Sequence, residues 1–260
     1  MPIERERISS TGWFPPWVRH EHIARYQFAA QWAAGKVIID CACGDGSCAR
    51  RLAETAAQVY GFDRSPSAIR EARRGATRLK NLHLQVADAT TLPVADGFAH
   101  LYVSLETIEH IGDDAAFLRD VVRVLKEDGA FICSTPDRDV YSPGNTITSR
   151  PWNRFHVREY SQQEFVALLD SHFSRVTLFG QNPKSPMLVG LKSWLGRWWP
   201  RNWVVRMNQG LKLPRILYDQ VEHHLVTTVE KERRYECLTA VCTLPRKPGR
   251  PALSGAAVTG

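Results

Sequence analysis

No apolar run in this 260-residue chain approaches the roughly 20 residues needed to cross a bilayer. The opening residues, Met1-Pro2-Ile3-Glu4-Arg5-Glu6-Arg7, lack the apolar core of a signal peptide. The six cysteines include no C-x-x-C pair, which removes the usual zinc and redox spacings. Cys41 and Cys43 share one face of an apolar run, and Cys48, Cys133, Cys237 and Cys242 fall within apolar patterns. Packed, reduced thiols in a cytoplasmic protein are the expectation. There is no internal repeat. Acids are missing from one long stretch: between Asn182 and Leu217 there are seven basic residues and none of opposite sign. The whole chain carries +7, so the remainder is balanced.

The most informative stretch runs from Val37 to Ala49. A short apolar run ends in Asp40, passes Gly44 and Gly46, and opens a helical pattern at Ala49, Leu52, Ala53 and Ala56. That is a buried parallel strand, a tight turn and a helix, with bare backbone beside whatever binds at the strand's carboxyl end. Val59–Asp63 reads as a second strand ending in an acid, placed to accept both hydroxyls of a ribose. Leu82–Ala89 is a third, with Asp88 near its end, and Phe98–Ser104 a fourth. Ala115–Lys126 has amphipathic helical spacing, and Asp128-Gly129 turns into the strand Ala130–Thr135. Strands alternating with helices imply α/β architecture with a doubly wound parallel sheet.

Gly44, Gly46 and Ala49 also satisfy the dinucleotide fingerprint, in which a pyrophosphate sits on the helix N-terminus. Asp40 and Asp45, however, flank the turn and would repel a pyrophosphate. S-adenosylmethionine has a ribose and an adenine, no phosphate, and two cationic centres, so it suits those acids. With these residues the chain resembles the class I S-adenosylmethionine-dependent methyltransferases, over roughly residues 20 to 180. The resemblance implies a Rossmann-like sheet of about seven strands and S-adenosylmethionine as cofactor. It implies cofactor contacts at Asp40, Ala42, Gly44, Gly46, Asp63, Leu105 and Ala89, the last through its backbone N–H. Asp88 would bond the adenine amino group. Ala42 stands where the family pattern usually has its first glycine. Glu21–Tyr26 resembles the helix that closes over the cofactor in this family, which adds Tyr26 to the contacts.

Glu106-Thr107-Ile108-Glu109-His110 follows the fourth strand. On a helix, Glu106, Glu109 and His110 would share one face, at the sheet edge where a methyl acceptor must approach. Two carboxylates and an imidazole suit a divalent cation. His156 precedes a helix expected to start near Ser161, with Glu164 as its capping-box partner. Glu-x-x-Glu-His with a later histidine resembles two groups, the small-RNA 3′-end 2′-O-methyltransferases and the ubiquinone-pathway O-methyltransferases. The resemblance implies Glu106, Glu109, His110 and His156 as ligands of Mg2+ or another divalent cation. His110 and His156 are equally candidates for metal-free acid/base catalysis, since an unperturbed imidazole titrates at about 6.5.

The expected organisation is N-terminal cofactor-covering helices (1–35), a methyltransferase core (36–181), a helical basic insertion (182–234), the last core strand (235–245) and a disordered tail (246–260). Four of the eight tryptophans, Trp194, Trp198, Trp199 and Trp203, lie in the insertion, which Pro200 and Pro214 break into short pieces. A lid over the acceptor pocket is the preferred reading, and contact with an anionic or lipid-linked acceptor or with the inner membrane face is the competitor. The expected function is O-methylation of a small-molecule hydroxyl: a sugar, a glycolipid precursor or a secondary metabolite. The alternatives are RNA 2′-O-methylation, with nucleic acid ranked behind a small molecule, quinone-precursor O-methylation at a membrane, and a catalytically silent cofactor-binding module.

Overall fold

The computed structural model describes residues 16–184, 226–230 and 233–247, with isolated positions between 187 and 194. Most of the basic insertion, the expected tail beyond residue 247 and the first 15 residues lie outside the described residues.

The chain enters through α1 (Pro16–Ala30) and then alternates: β1 (Val37–Cys41), α2 (Ser47–Leu52), β2 (Gln58–Asp63), α3 (Pro66–Gly75) and β3 (Leu82–Val86). The second half comprises β4 (Ala99–Leu105), a 3-10 turn (Ile108–His110), α4 (Asp114–Val124), β5 (Leu125–Pro136), α5 (Arg138–Tyr141), α6 (Gln162–Asp170), β6 (Phe173–Lys184), β7 (Thr227–Thr228) and β8 (Arg234–Pro245). The sheet order is β3-β2-β1-β4-β5-β8-β6-β7. Strands β1 to β5 pair in parallel, and β8 runs antiparallel between β5 and β6. The doubly wound α/β reading therefore holds. Among the described residues the count is eight rather than about seven, because two-residue β7 pairs with Phe179 and Gly180 of β6.

Apolar residues alternate across the central strands and so feed both faces. Ile38, Leu101 and Val103 pack with Tyr26, Leu52 and Ile69 of α1, α2 and α3. Ile39, Tyr102 and Phe131 pack with Phe117 of α4 and Phe165 of α6. Burial on both faces is why these strands read as continuous apolar runs. All six cysteines are buried free thiols. No helix among the described residues is long and apolar enough to cross a membrane.

The order reverses between β1 and β4, and ligands of such sheets bind beyond the carboxyl ends at that point. Ser161 caps α6 with the expected capping box, its side chain accepting from Glu164 N while Glu164 bonds back. The helix expected from Glu106 is absent. Glu106 adopts φ +52°, which breaks the helical phase, and only the short 3-10 turn follows.

Candidate active site

Three left-handed residues within five, Ala42 (φ +62°), Gly44 (+56°) and Gly46 (+70°), fold the chain back after β1. The two glycines serve different ends. A Cβ on Gly46 would lie 2.8 Å from the Ala72 Cβ of α3, so that position lets α2 and α3 pack. A Cβ on Gly44 would meet nothing within 4 Å, leaving open space above the turn. Asp63, at the end of neighbouring β2, accepts the Gly44 N–H (3.0 Å) and the Ser65 N–H (2.9 Å). Asp45 accepts the Ser47 N–H at 2.9 Å and so starts α2.

Asp40 is fully buried. The Tyr26 hydroxyl donates to its Oδ1 at 3.0 Å, while Oδ2 has no hydrogen-bond partner among the described residues. Burial pushes the carboxyl up to about 7, against the Tyr26 bond, and the Asp63 charge adds to the rise. A buried acid with one orphaned oxygen is placed to receive a cation. Asp88, exposed just beyond β3, is held below the ordinary range by bonds from the Thr90 hydroxyl and N–H. Ala89 beside it is half-buried, and Leu105 is buried at the end of β4.

The structure separates the four expected metal ligands. Glu106 turns away: its Oε1 accepts from Ser134 Oγ (3.0 Å) and Cys237 Sγ (3.1 Å). Although desolvation opposes ionisation, the buried Arg25 guanidinium of α1, those two bonds and His22 hold its carboxyl below the usual range. Glu109, His110 and His156 do converge, with one ligating atom from each within 4.8 Å of the others. The Glu109 side chain is 1% exposed and the His110 side chain 31%. Burial, and then the Glu106 charge, push Glu109 up to about 8, with the nearby His156 and the Thr135 hydroxyl (3.1 Å) opposing. His110 donates from Nδ1 to the Phe155 carbonyl at 3.0 Å, and its Nε2 lies 3.9 Å from Glu109 Oε1. The two imidazoles meet edge to face with centroids 5.0 Å apart.

His22 of α1 is influenced by both Asp45 and Glu106, so this helix spans the glycine turn and the end of β4. Asn153 and Glu159 adjoin His156, and Arg25 lies with Glu106; none of the three was among the expected site residues. Arg25 gives no signal because α1 has no clear apolar stripe against which a buried arginine would stand out. Glu159 lies three residues after His156 in a stretch without regular structure, where spacing says nothing about contact.

The methyltransferase domain family matches residues 39–133, the stretch that carries the glycine turn, Asp63, Asp88 and the Glu109-His110 pair. That stretch belongs to the methyltransferase domain family. A protein of Mycolicibacterium smegmatis named a probable S-adenosylmethionine-dependent methyltransferase is 33% identical over 155 residues, covering 60% of this chain and 58% of its own length. A ubiquinone/menaquinone biosynthesis C-methyltransferase of Caulobacter vibrioides is 35% identical over 121 residues, covering 42% and 47%. The chain thus spans less than two thirds of the length of these relatives. A solved S-adenosylmethionine-dependent methyltransferase from Thermotoga maritima superposes with a TM-score of 0.58 over 88% of this chain and 93% of its own, at 16% identity, which shows a shared fold.

The cofactor of this methyltransferase domain family is S-adenosylmethionine, and the turn fits it. Open space lies above Gly44, Asp40 carries an oxygen without a hydrogen-bond partner among the described residues, and the acids Asp45 and Asp63 beside the turn disfavour a pyrophosphate.

Proposed function

We propose that this protein transfers a methyl group from S-adenosylmethionine to a hydroxyl of a small-molecule acceptor, with His110 receiving the hydroxyl proton. The observation that carries this reading is the convergence of Glu109, His110 and His156 beyond β4, the strand next to β1 and its cofactor turn. A hydroxyl is a weak nucleophile until its proton leaves, and a histidine titrating near neutrality is suited to accept it. Fixing Nδ1–H on the Phe155 carbonyl leaves the lone pair of the neutral His110 ring on Nε2. When bound, S-adenosylmethionine supplies the electrophilic methyl. Asp63, Asp88 and the Gly44 backbone would hold its nucleoside, and Asp40 would face its cationic end.

An open cleft of about 610 Å³ lies beside His156; neither His110 nor a residue of the glycine turn lines it, so an acceptor held there would have to reach past His156. Ile147, Pro151 and Val157 give it an apolar wall, and Arg150 and Arg158 line it with positive charge. Arg158 is paired with Asp114, which leaves Arg150 as the cation for an anionic acceptor group. β6 runs parallel to β5, so the chain leaves Lys184 at the same carboxyl edge, and the basic stretch 182–217 begins there. This favours a lid over the acceptor, and loss of liposome or RNA binding in a Trp198→Ala/Trp199→Ala variant would point to the other roles.

A second reading assigns Glu109, His110 and His156 to a divalent cation that lowers the hydroxyl pKa and orients the acceptor. It is favoured by the clustering of the three donor atoms and lacks the fourth expected ligand, Glu106. Labelled cofactor offered with sugar, phenol and RNA acceptors, with and without chelator, separates these possibilities. Under the base reading, turnover persists in excess chelator, and His110→Ala lowers kcat by roughly 10²–10⁴-fold with S-adenosylhomocysteine affinity intact. Turnover abolished by chelator selects the cation instead. Cofactor binding without turnover on any acceptor class would leave a silent binding module.

A further inference from the structure

Both imidazoles of the site are held by a single loop. Asn153 Oδ1 accepts the Phe155 N–H at 3.1 Å, which turns the amide nitrogen toward His156, 2.9 Å from Nε2. An amide nitrogen can only donate, so His156 Nε2 accepts and the ring proton sits on Nδ1. There it meets Glu159 Oε1 at 2.7 Å. The Val157 and Arg158 N–H groups donate to the Glu109 carbonyl (2.8 and 3.2 Å), pinning this loop to the 3-10 turn that carries His110.

We propose that Glu159 is a positioning residue that fixes the tautomer and orientation of His156, and through the edge-to-face contact the orientation of His110. The inference rests on the proposed role of His110. The Glu159 side chain is 1% exposed, and its Oε2 has no hydrogen-bond partner among the described residues. Burying a carboxylate with one oxygen unpaired is costly, and a backbone carbonyl would serve as an acceptor for Nδ1–H, as Phe155 does for His110. A carboxylate differs in making a charge-assisted bond, roughly twice as strong as a neutral one. That bond holds one tautomer and one ring angle in the residue that backs His110.

Nitrogen-15 spectra of histidine-labelled protein test this without any acceptor, and turnover adds a second readout. Wild-type His156 should show the Nδ1–H form. Glu159→Ala should shift it toward Nε2–H and lower kcat by roughly 10²-fold, the cost of a misplaced reacting group, with little change in acceptor KM or S-adenosylhomocysteine affinity. Glu159→Gln keeps an acceptor oxygen and should be intermediate in both; it decides the matter if the alanine variant does not fold. An unchanged His156 tautomer with kcat within twofold of wild type in the folded variants overturns the proposal. If Glu159→Ala shifts the His156 tautomer while the wild-type protein methylates no hydroxyl, Glu159 remains the positioning residue of His156 and hydroxyl transfer is rejected.

Discussion

Ala42 and Glu106 are left-handed non-glycine residues at the carboxyl ends of adjacent strands β1 and β4, beside the two halves of the site. A left-handed L-residue costs roughly 1–2 kcal/mol. Such strain persists only where the surroundings impose it, and it gathers at functional sites. At Glu106 the carboxylate is anchored to Ser134 and Cys237. Ala42 is exposed, and its side chain brings no comparable anchor. Ala42→Gly should therefore raise stability. The relief is offset by the roughly 0.4–1 kcal/mol that glycine adds to unfolded-chain freedom, so the net gain lies between about 0 and about 1.6 kcal/mol. Urea unfolding should show a higher midpoint at unchanged slope; a lower midpoint would mean that the alanine methyl packs usefully. Asp40, Asp63 and Asp88 were readable as strand-end acids because each closes or follows an apolar run. The departure of Glu106 was not readable, since one positive φ resets a helical phase that spacing alone assumes to continue.

The elements that follow simple periodicity appear nearly where their patterns put them. β2 and α4 are examples, and the Ser161–Glu164 capping box marks the start of α6, whereas β5 begins at Leu125, so the turn expected at Asp128-Gly129 is instead a register shift within that strand. β7 left no trace because two threonines carry no period, and its existence depends on a partner strand some 50 residues away. The strand ends also share an electrostatic property. Asp40 near the end of β1 and Asp137 after β5 are pushed up to about 7, chiefly by burial, and Glu109 beyond β4 to about 8. Each folded value lies above the ordinary carboxyl value, so between pH 6.5 and 8 the folded protein binds more protons than the unfolded chain. Stability must then fall as pH rises through that window. His22, lowered by burial to about 4, acts in the opposite sense, but only below its unfolded value of 6.5. Urea midpoints at pH 6.5, 7.25 and 8 should descend in that order in the cofactor-free protein. A rising series would mean that these carboxyls are already ionised.

Across the molecule, the features of the proposed site gather on one edge. The glycine turn, the Glu109-His110 turn, the histidine loop and the exit of β6 toward the basic stretch all stand at the carboxyl ends of parallel strands. The fold class was legible, and so was the backbone of the proposed cofactor half, because that backbone is fixed by local rules: buried strand, glycine turn, terminal acid. The acceptor half depends on the loop from Asn153 to Glu159 folding against the 108–110 turn, a contact across more than 40 residues that no local pattern encodes. The central claim concerns the cofactor, and calorimetric titration with S-adenosylhomocysteine tests it most directly, with NADH as the competing dinucleotide. The account predicts binding of S-adenosylhomocysteine, no heat from NADH, and at least about tenfold weaker binding in Asp63→Asn, from loss of a charged hydrogen-bond acceptor worth roughly 1.5–3 kcal/mol. Binding of NADH with no response to S-adenosylhomocysteine would contradict it.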